Sequence, residues 1–238
     1  MVSSILPLTL ADVAVYRRGK RLLGPVNLTL QPEGLTMIIG PNGSGKTTLL
    51  RVMHGVERLS KGVTTWSVPE AEARHRQSYV FQTPIMLRRT VADNLKYPLK
   101  LSGAPRAQIE DQVEKWTNRI GLADRISLQA TRLSGGEKQK LALARALIRK
   151  PDVLFLDEPC ANLDGASTRE IETILHDALR GKTKIIMTTH DLGQARRLAS
   201  DAIFMLHGVV HETGAADPFF KAPRTAELQA FFRGDIII

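Results

Sequence analysis

The chain contains 238 residues, 43% of them hydrophobic, and its 33 Lys and Arg residues against 24 Asp and Glu residues give a formal charge of +9. This length is enough for one domain with a sizeable core, with or without a subdomain. The single cysteine, Cys160, excludes an intrachain disulfide, and no apolar run approaches the roughly 18 residues that a membrane-spanning helix needs.

The basic charge suits three classes of partner, namely nucleic acid, an anionic lipid surface or a small polyanion, and does not choose among them. In the N-terminal segment the basic residues follow the apolar stretch, the reverse of a secretory signal. We therefore expect a chain that stays in the reducing cytosol, or that reaches a membrane only through a partner.

The first predicted elements are two segments, residues 8–16 and 25–30, in which apolar and polar side chains alternate. This pattern predicts antiparallel strands with one exposed face. Later runs rich in β-branched residues predict strands that helical patterns mostly separate: residues 36–39, 78–81, 153–156, 184–189 and 202–206. Together they predict an α/β fold with a mostly parallel sheet and an antiparallel N-terminal β subdomain.

A helical pattern interrupts this alternation from about residue 84 to about residue 150. Ile109, Val113, Trp116 and Ile120 recur at helical spacing, and a second apolar pattern ends before Pro151, which cannot continue a helix. The sequence therefore predicts an α-helical subdomain inserted between two strands of the sheet, within one domain over residues 1–238.

Residues 40–47 read GPNGSGKT and fit the pattern G-x-x-x-x-G-K-[ST] between an apolar strand and a helix-like segment. Glycine lets the backbone curl so that successive N–H groups form a cup for an anion, and the following helix adds the positive end of its dipole. We expect Lys46 to reach the β- and γ-phosphates of a nucleotide and Thr47 to ligate Mg²⁺. A chance match is the alternative, and the strand-to-helix context argues against it.

Two adjacent carboxylates, Asp157 and Glu158, follow the apolar run VLFL. Ligands of open parallel sheets bind at the carboxyl ends of the strands, so Asp157 is expected to face the Mg²⁺ held by Thr47. Because side chains alternate along an extended chain, Glu158 is expected to point elsewhere, towards a water that attacks the γ-phosphate. The alternative is an ordinary exposed acidic strand end.

A second glycine-rich helix start follows Leu133, where Ser134, Gly135 and Gly136 precede a helical pattern. Such a start is a second backbone anion site. One phosphate loop already covers one face of a triphosphate, so a second site is expected to serve a nucleotide on another copy of the chain. Ser134 as the cap of an ordinary helix is the alternative.

These motifs, in this order and over nearly the whole chain, resemble those of the ATP-binding-cassette (ABC) ATPases. GPNGSGKT resembles Walker A, VLFLDE resembles Walker B, and LSGGE resembles the ABC signature with Glu137 in place of the usual Gln. YVFQTP resembles the Q-loop with Gln82, NLD the D-loop with Asp164, and TTHD the switch motif with His190. Tyr16 stands where the family places an aromatic residue for adenine stacking.

The resemblance implies a P-loop NTPase core and a head-to-tail dimer with two ATP molecules, each between Walker A of one copy and residues 134–136 of the other. It implies catalytic roles for Glu158 as general base, His190 as the γ-phosphate contact that holds the water and the base, and Lys46. The residues expected to bind ATP are Tyr16, Gly40, Pro41, Asn42, Gly43, Ser44, Gly45, Lys46, Thr47, Thr48, Gln82, Ser134, Gly135, Gly136 and Asp164. Those expected to bind Mg²⁺ are Thr47, Gln82 and Asp157.

A cassette free of fused membrane helices resembles the ATPase subunits of bacterial importers. The segment PIMLRRTVADNL resembles importers of small oxyanions and amino acids, and the tail GAADPFFKAP resembles the usual end of an importer cassette. The short length and the segments MLRRTV and DLGQARRLA resemble tungstate or phosphate importers most, with tungstate as the first candidate. The resemblance thus implies a peripheral protein at the cytoplasmic face of the inner membrane, working with permease subunits and, indirectly, a periplasmic solute-binding protein.

The competing class is a soluble ABC ATPase that acts on nucleic acid, ribosomes or cluster assembly. Members of that class carry long coiled coils or a second cassette, and this sequence has neither. No nucleic-acid partner is therefore expected.

Overall fold

The computed structural model describes residues 4–235, so the first three residues of the N-terminal segment and the last three of the predicted tail lie outside it. The strands are β1 (Leu8–Arg17), β2 (Lys20–Leu30), β3 (Leu35–Ile39), β4 (Lys61–Thr65), β5 (Gln77–Val80), β6 (Val153–Asp157), β7 (Lys184–Thr188), β8 (Asp201–Leu206) and β9 (Val209–Ala215). The helices are α1 (Lys46–His54), α2 (Glu70–His75), α3 (Val91–Leu101), α4 (Arg106–Arg119), α5 (Gly135–Leu147), α6 (Gly165–Arg180), α7 (Leu192–Leu198), α8 (Ala216–Lys221) and α9 (Ala226–Arg233).

A mostly parallel sheet forms the centre of the molecule, with the strand order β5-β6-β7-β3-β8-β9. The neighbours among β5, β6, β7, β3 and β8 pair in parallel, and β9 pairs antiparallel with β8 at one edge. The turn between them, His207 and Gly208, has φ of 51° and 78°. Two consecutive positive φ angles match the twist of a tight hairpin, which explains how β9 follows β8 directly. The predicted α/β fold with a mostly parallel sheet is confirmed.

Both faces of the central sheet are covered, because alternate residues of its strands enter two different cores. In β6, Leu154 and Leu156 belong to a core with α3 to α7, whereas Val153 and Phe155 belong to a core with α1 and the N-terminal strands. Each of the strands β3, β6 and β7 has five residues, and all of them are buried. Burial on both faces is the reason that these strands read as continuous apolar runs.

A second, three-stranded antiparallel sheet has the order β2-β1-β4 and confirms the predicted N-terminal β subdomain. Sequence patterns did not predict β4, since KGVTT is mostly exposed and has no apolar run. Its pairing with β1 is a long-range contact that periodicity does not reveal.

The inserted helices α3, α4 and α5 connect β5 to β6, which are neighbours in the sheet. Ile109, Val113 and Ile120 are buried, as the helical spacing predicts, and Trp116 packs partly buried against the same core. None of the helices within residues 4–235 combines the length and hydropathy that a bilayer crossing requires. The assignment of residues 1–238 to a single domain stays a prediction.

Candidate active site

The carboxyl edge of the parallel sheet brings together side chains from four strand ends. The phosphate-binding loop follows β3, Gln82 follows β5, Glu158 follows β6, and His190 follows β7. They surround a cavity of about 520 Å³, which is lined by Leu22, Asn42, Gly43, Ser44, Gly45, Lys46, Thr47, Thr48, Gln82, Glu158 and His190. Most residues predicted to bind the triphosphate therefore share one cavity.

The loop between β3 and α1 is held close to the β8–β9 turn. A Cβ atom on Gly40 would collide with the Met205 carbonyl oxygen, so only glycine fits there. On the other side of the loop, the Gly208 N–H donates to the Ser44 carbonyl at 3.0 Å. Gly208 itself approaches the backbone of Leu22 too closely to carry a side chain. Both contacts with the loop come from the β8–β9 hairpin, which therefore holds the loop in place.

The first turn of α1 is open to an anion. Gly45 precedes the helix and provides no side-chain cap, and no acidic residue lies in the first turn. The N–H groups of a first helical turn have no partners inside the helix, and the helix dipole is positive there. These features match the anion-binding cup that the sequence predicts.

Lys46 is buried and folds back on its own loop. Its Nζ donates to the carbonyl oxygens of Gly40, at 2.9 Å, and Pro41, at 3.2 Å, which leaves one of three protons for another acceptor. Burial lowers the pKa of Lys46, and the carboxylates of Glu158 and Asp157 oppose that shift. Nearby, Ser44 Oγ is buried without a hydrogen-bond partner among the described residues. A phosphate oxygen is an acceptor that would satisfy both groups.

Asp157 ends β6 as a buried carboxylate next to Thr47. Thr47 Oγ1 donates to Asp157 Oδ1 at 2.9 Å, and Thr188 Oγ1 donates to the same oxygen at 3.0 Å. A hydroxyl, a carboxylate and the amide of Gln82 are the oxygen donors that Mg²⁺ prefers, with phosphates and water completing its shell. Residues 4–235 contain no cluster of three or more His, Cys, Asp or Glu side chains suited to a metal. The donor set therefore fits a cation that a nucleotide helps to hold.

Glu158 points away from Asp157 and has different partners. Its Oε2 lies 3.0 Å from His190 Nδ1 and accepts from Gln82 Nε2 at 3.3 Å. The cause differs from the alternation that we predicted, because β6 ends at Asp157 and Glu158 adopts a left-handed φ of 45°. The Glu158 N–H donates to Thr188 Oγ1 at 2.9 Å, which stabilises this sharp turn.

Several predicted residues lie outside the cavity as residues 4–235 form it. Gly40, Pro41 and Asp157 do not line it, but each accepts a hydrogen bond from Lys46 or Thr47, which do. Tyr16 is 43% exposed on β1. Asp164 caps α6 by accepting from the Ser167 N–H. Ser134, Gly135 and Gly136 begin α5, away from this cavity.

Glu137, which stands where the ABC signature usually has Gln, has a structural role in its own helix. Glu137 Oε2 accepts from the Ser134 N–H at 2.9 Å, while Ser134 Oγ accepts from the Glu137 N–H, which forms a reciprocal capping box. Arg125 lies 2.6 Å from the same carboxylate. The hydrogen bond from the Ser134 backbone is the main reason that the pKa of Glu137 is lowered. The fifth signature side chain thus serves its own helix.

Sequence reasoning missed three residues beside the cavity, Leu22, Tyr79 and Thr188. Tyr79 OH donates to Asp157 Oδ2 at 3.2 Å, and Thr188 lies opposite Asp157 in the register of β6 and β7. The register of parallel strands is not visible in a single sequence. The sequence around these three residues gave no other indication of a role.

The family model described as ABC transporter matches residues 23–161, which is more than half of the chain. The chain belongs to the ABC transporter family. As a member of this family it is an ATPase, and its fold is that of an ATP-binding cassette.

Two curated relatives are similar to this ABC ATPase over most of its length. The tungstate uptake system ATP-binding protein TupC of Peptoclostridium acidaminophilum is 38% identical over 90% of this chain and 99% of its own. A probable anion import ATP-binding protein of Haloferax volcanii is 33% identical over 91% of this chain and 83% of its own.

A solved structure supports the fold of this ABC ATPase. It is a dimeric ATP-binding cassette in a post-hydrolysis state, bound to ADP and Pi. The TM-score is 0.78 at 24% identity, and the match covers 88% of this chain and 98% of that chain.

Proposed function

We propose that this ABC ATPase is the ATP-hydrolysing subunit of an importer for a small oxyanion, with tungstate as the first candidate. It works as a head-to-tail dimer on the cytoplasmic face of the membrane, beneath separate permease subunits that receive the oxyanion from a periplasmic binding protein. One observation carries the ATPase part: Lys46, Thr47, Glu158 and His190 converge on one cavity. The similarity to TupC and to the anion import protein supports the choice of cargo.

The phosphate chain of ATP would lie on the loop of residues 40–47. Lys46 would leave the carbonyls of Gly40 and Pro41, its present acceptors, for the β- and γ-phosphates. Ser44 Oγ and the first-turn N–H groups of α1 would donate from the other side. The exposed ring of Tyr16 would stack on the adenine. This arrangement binds the nucleotide mainly through its charge and its phosphate geometry.

Mg²⁺ would be held by Thr47, Asp157 and Gln82, and when bound it would neutralise charge on the phosphates. Thr188 keeps Asp157 in place by donating to Oδ1. Thr47 Oγ1 is free to rotate from Asp157 towards another ligand, since hydroxyl hydrogens turn to suit their partners.

Glu158 would accept a proton from the attacking water. It is only partly buried, and Gln82 and His190 fix its Oε2 from two directions. His190 would hold the base through Nδ1, which lies 3.0 Å from Glu158 Oε2, and would contact the γ-phosphate with the rest of its ring. Positioned general bases contribute about 10²- to 10⁴-fold to rates.

A second copy would complete the site. Ser134, Gly135 and Gly136 begin α5 away from the cavity, and the exposed position of Ser134 leaves it available to another chain. Each copy therefore has one Walker A loop and one signature helix start, and a head-to-tail pair would bring them together twice. The dimeric state of the similar cassette supports a dimer of this chain.

We expect Ser134→Arg to block ATP hydrolysis, because a long cation would lie where the signature of one copy approaches the nucleotide of the other. ATP binding to the single chain should change less than about threefold, since Ser134 lies outside the cavity. Turnover assays and titration with a fluorescent ATP analogue measure the two effects separately.

Two further variants make the Ser134 experiment specific. Ser134→Asp keeps a residue that caps helices well but places a negative charge against phosphate, so it should also block hydrolysis. Ser127→Arg adds the same cation at another exposed position of the helical region and should hydrolyse ATP normally. Normal turnover by Ser134→Arg would contradict the shared site.

The genes that neighbour this ATPase are first searched for a permease and a solute-binding protein, and transport specificity is tested by reconstitution with the proteins they encode. Isothermal titration of the binding protein with tungstate, molybdate, sulfate and phosphate ranks the candidate oxyanions. We expect the tungstate-loaded binding protein to stimulate ATP turnover several-fold in proteoliposomes. Stimulation only by the binding protein loaded with another oxyanion would show that tungstate is not the cargo. Stimulation by ribosomes or nucleic acid, with none by a loaded binding protein, would favour the soluble class instead.

A further inference from the structure

The carboxylate of Asp157 is held by three hydroxyl groups from three different elements. Thr47 on α1 and Thr188 on β7 both donate to Oδ1, at 2.9 and 3.0 Å. Tyr79 on β5 is the donor that the structure gives to the other oxygen, Oδ2, at 3.2 Å. If Thr47 turns to another ligand, Thr188 and Tyr79 remain to fix the plane of the carboxylate.

The ring of Tyr79 has little freedom to move its hydroxyl. His54 contacts it edge-on with centroids 5.2 Å apart, Phe155 stacks on it at 6.4 Å, and Phe81 lies at 4.6 Å. Tyr79 lies opposite Phe155 in the register of the parallel strands β5 and β6. A phenol carries its proton at neutral pH, so the Tyr79 hydroxyl acts as a donor to Asp157.

The end of β5 supports both carboxylates of the Asp157–Glu158 pair. Tyr79 donates to Asp157, and three residues later Gln82 Nε2 donates to Glu158 Oε2 at 3.3 Å. A single short segment, residues 79–82, therefore sets the orientation of the predicted metal ligand and of the predicted base.

We propose that Tyr79 is a positioning residue whose hydroxyl holds Asp157 Oδ2 and thereby keeps Oδ1 directed at the cation site beside Thr47. The proposal rests on the proposed function, because it assumes that Asp157 and Thr47 serve a metal–nucleotide complex. Groups that orient metal ligands affect metal affinity or activity by about 10- to 100-fold when they are removed.

Tyr79→Phe tests the proposal, because it removes the hydroxyl and keeps the ring contacts. Mn²⁺ binding in the presence of a non-hydrolysable ATP analogue, followed by electron paramagnetic resonance, should weaken by about tenfold. The kcat for ATP at limiting Mg²⁺ should fall by a similar factor, whereas binding of the analogue without metal should stay within about twofold. Raising the Mg²⁺ concentration should restore kcat, which a folding defect would not allow.

Tyr97→Phe is the matched control, since Tyr97 is 40% exposed on α3 and does not line the cavity. It should match the wild type in every measurement. Unchanged Mn²⁺ affinity in Tyr79→Phe would overturn the proposal, as would a loss of activity that follows a lowered unfolding temperature and that Mg²⁺ does not restore. If the wild-type protein itself binds no Mn²⁺–nucleotide, the proposed function fails together with this role of Tyr79.

Discussion

Replacing Glu158 with Gln is expected to lower ATP turnover by about 10²- to 10⁴-fold, the usual contribution of a general base. The amide has the same size and can keep hydrogen bonds to Gln82 and His190, so the shape of the site is retained. It cannot accept the proton of water at neutral pH. ATP binding should therefore persist, and the dimer with bound ATP should accumulate because hydrolysis no longer separates it.

Single-turnover hydrolysis and size-exclusion chromatography with ATP and Mg²⁺ measure the two effects of Glu158→Gln. Glu114→Gln makes the same chemical change on the exposed face of α4 and should leave turnover and oligomeric state unchanged. Turnover within a few-fold of the wild type in Glu158→Gln would show that another group activates the water.

Lys46→Ala is expected to remove ATP binding itself. Hydrogen bonds to charged groups contribute about 1.5–3 kcal/mol, which corresponds to a loss of affinity of about 10- to 150-fold for each such contact. The variant also leaves the carbonyl oxygens of Gly40 and Pro41 without this donor, so the loop loses an internal tie. Titration with a fluorescent ATP analogue measures the affinity directly.

Lys221→Ala is the matched control for Lys46→Ala, because it removes the same charge from an exposed ion pair with Asp217 on α8. Its nucleotide affinity should equal that of the wild type. Unchanged affinity in Lys46→Ala would mean that the loop of residues 40–47 does not hold the phosphates.

The inner strands of the central sheet were predictable because they are buried on both faces. The run VLFL of β6 and the run TMII of β3 are apolar without interruption, so their type and position follow from the sequence alone. The exposed strand β4 and the edge strand β9 lack such runs, and long-range pairing stabilises them instead. Local patterns cannot report that kind of stabilisation.

The candidate site was predictable where a motif carries its own chemistry, as in Lys46, Thr47 and Asp157. The environment of Asp157 was not, because Thr188 and Tyr79 reach it across the strand register. The divergence of Asp157 and Glu158 was expected for an extended chain, yet a turn with positive φ at Glu158 produces it. Motifs therefore predicted which residues matter, while the three-dimensional contacts were needed to explain their orientation.

The tight turn at His207 and Gly208 has a consequence far from its place in the chain. Gly208 donates to the Ser44 carbonyl and accepts from the Gly24 N–H at 2.6 Å, so one glycine joins the nucleotide loop, the central sheet and the N-terminal strands. The edge hairpin of β8 and β9 thus helps to fix the backbone of the nucleotide loop, and the sequence of the loop does not reveal this contact. A side chain at position 208 would collide with the Leu22 carbonyl and displace the hairpin from the loop, although the hairpin contributes no side chain to the lining of the cavity.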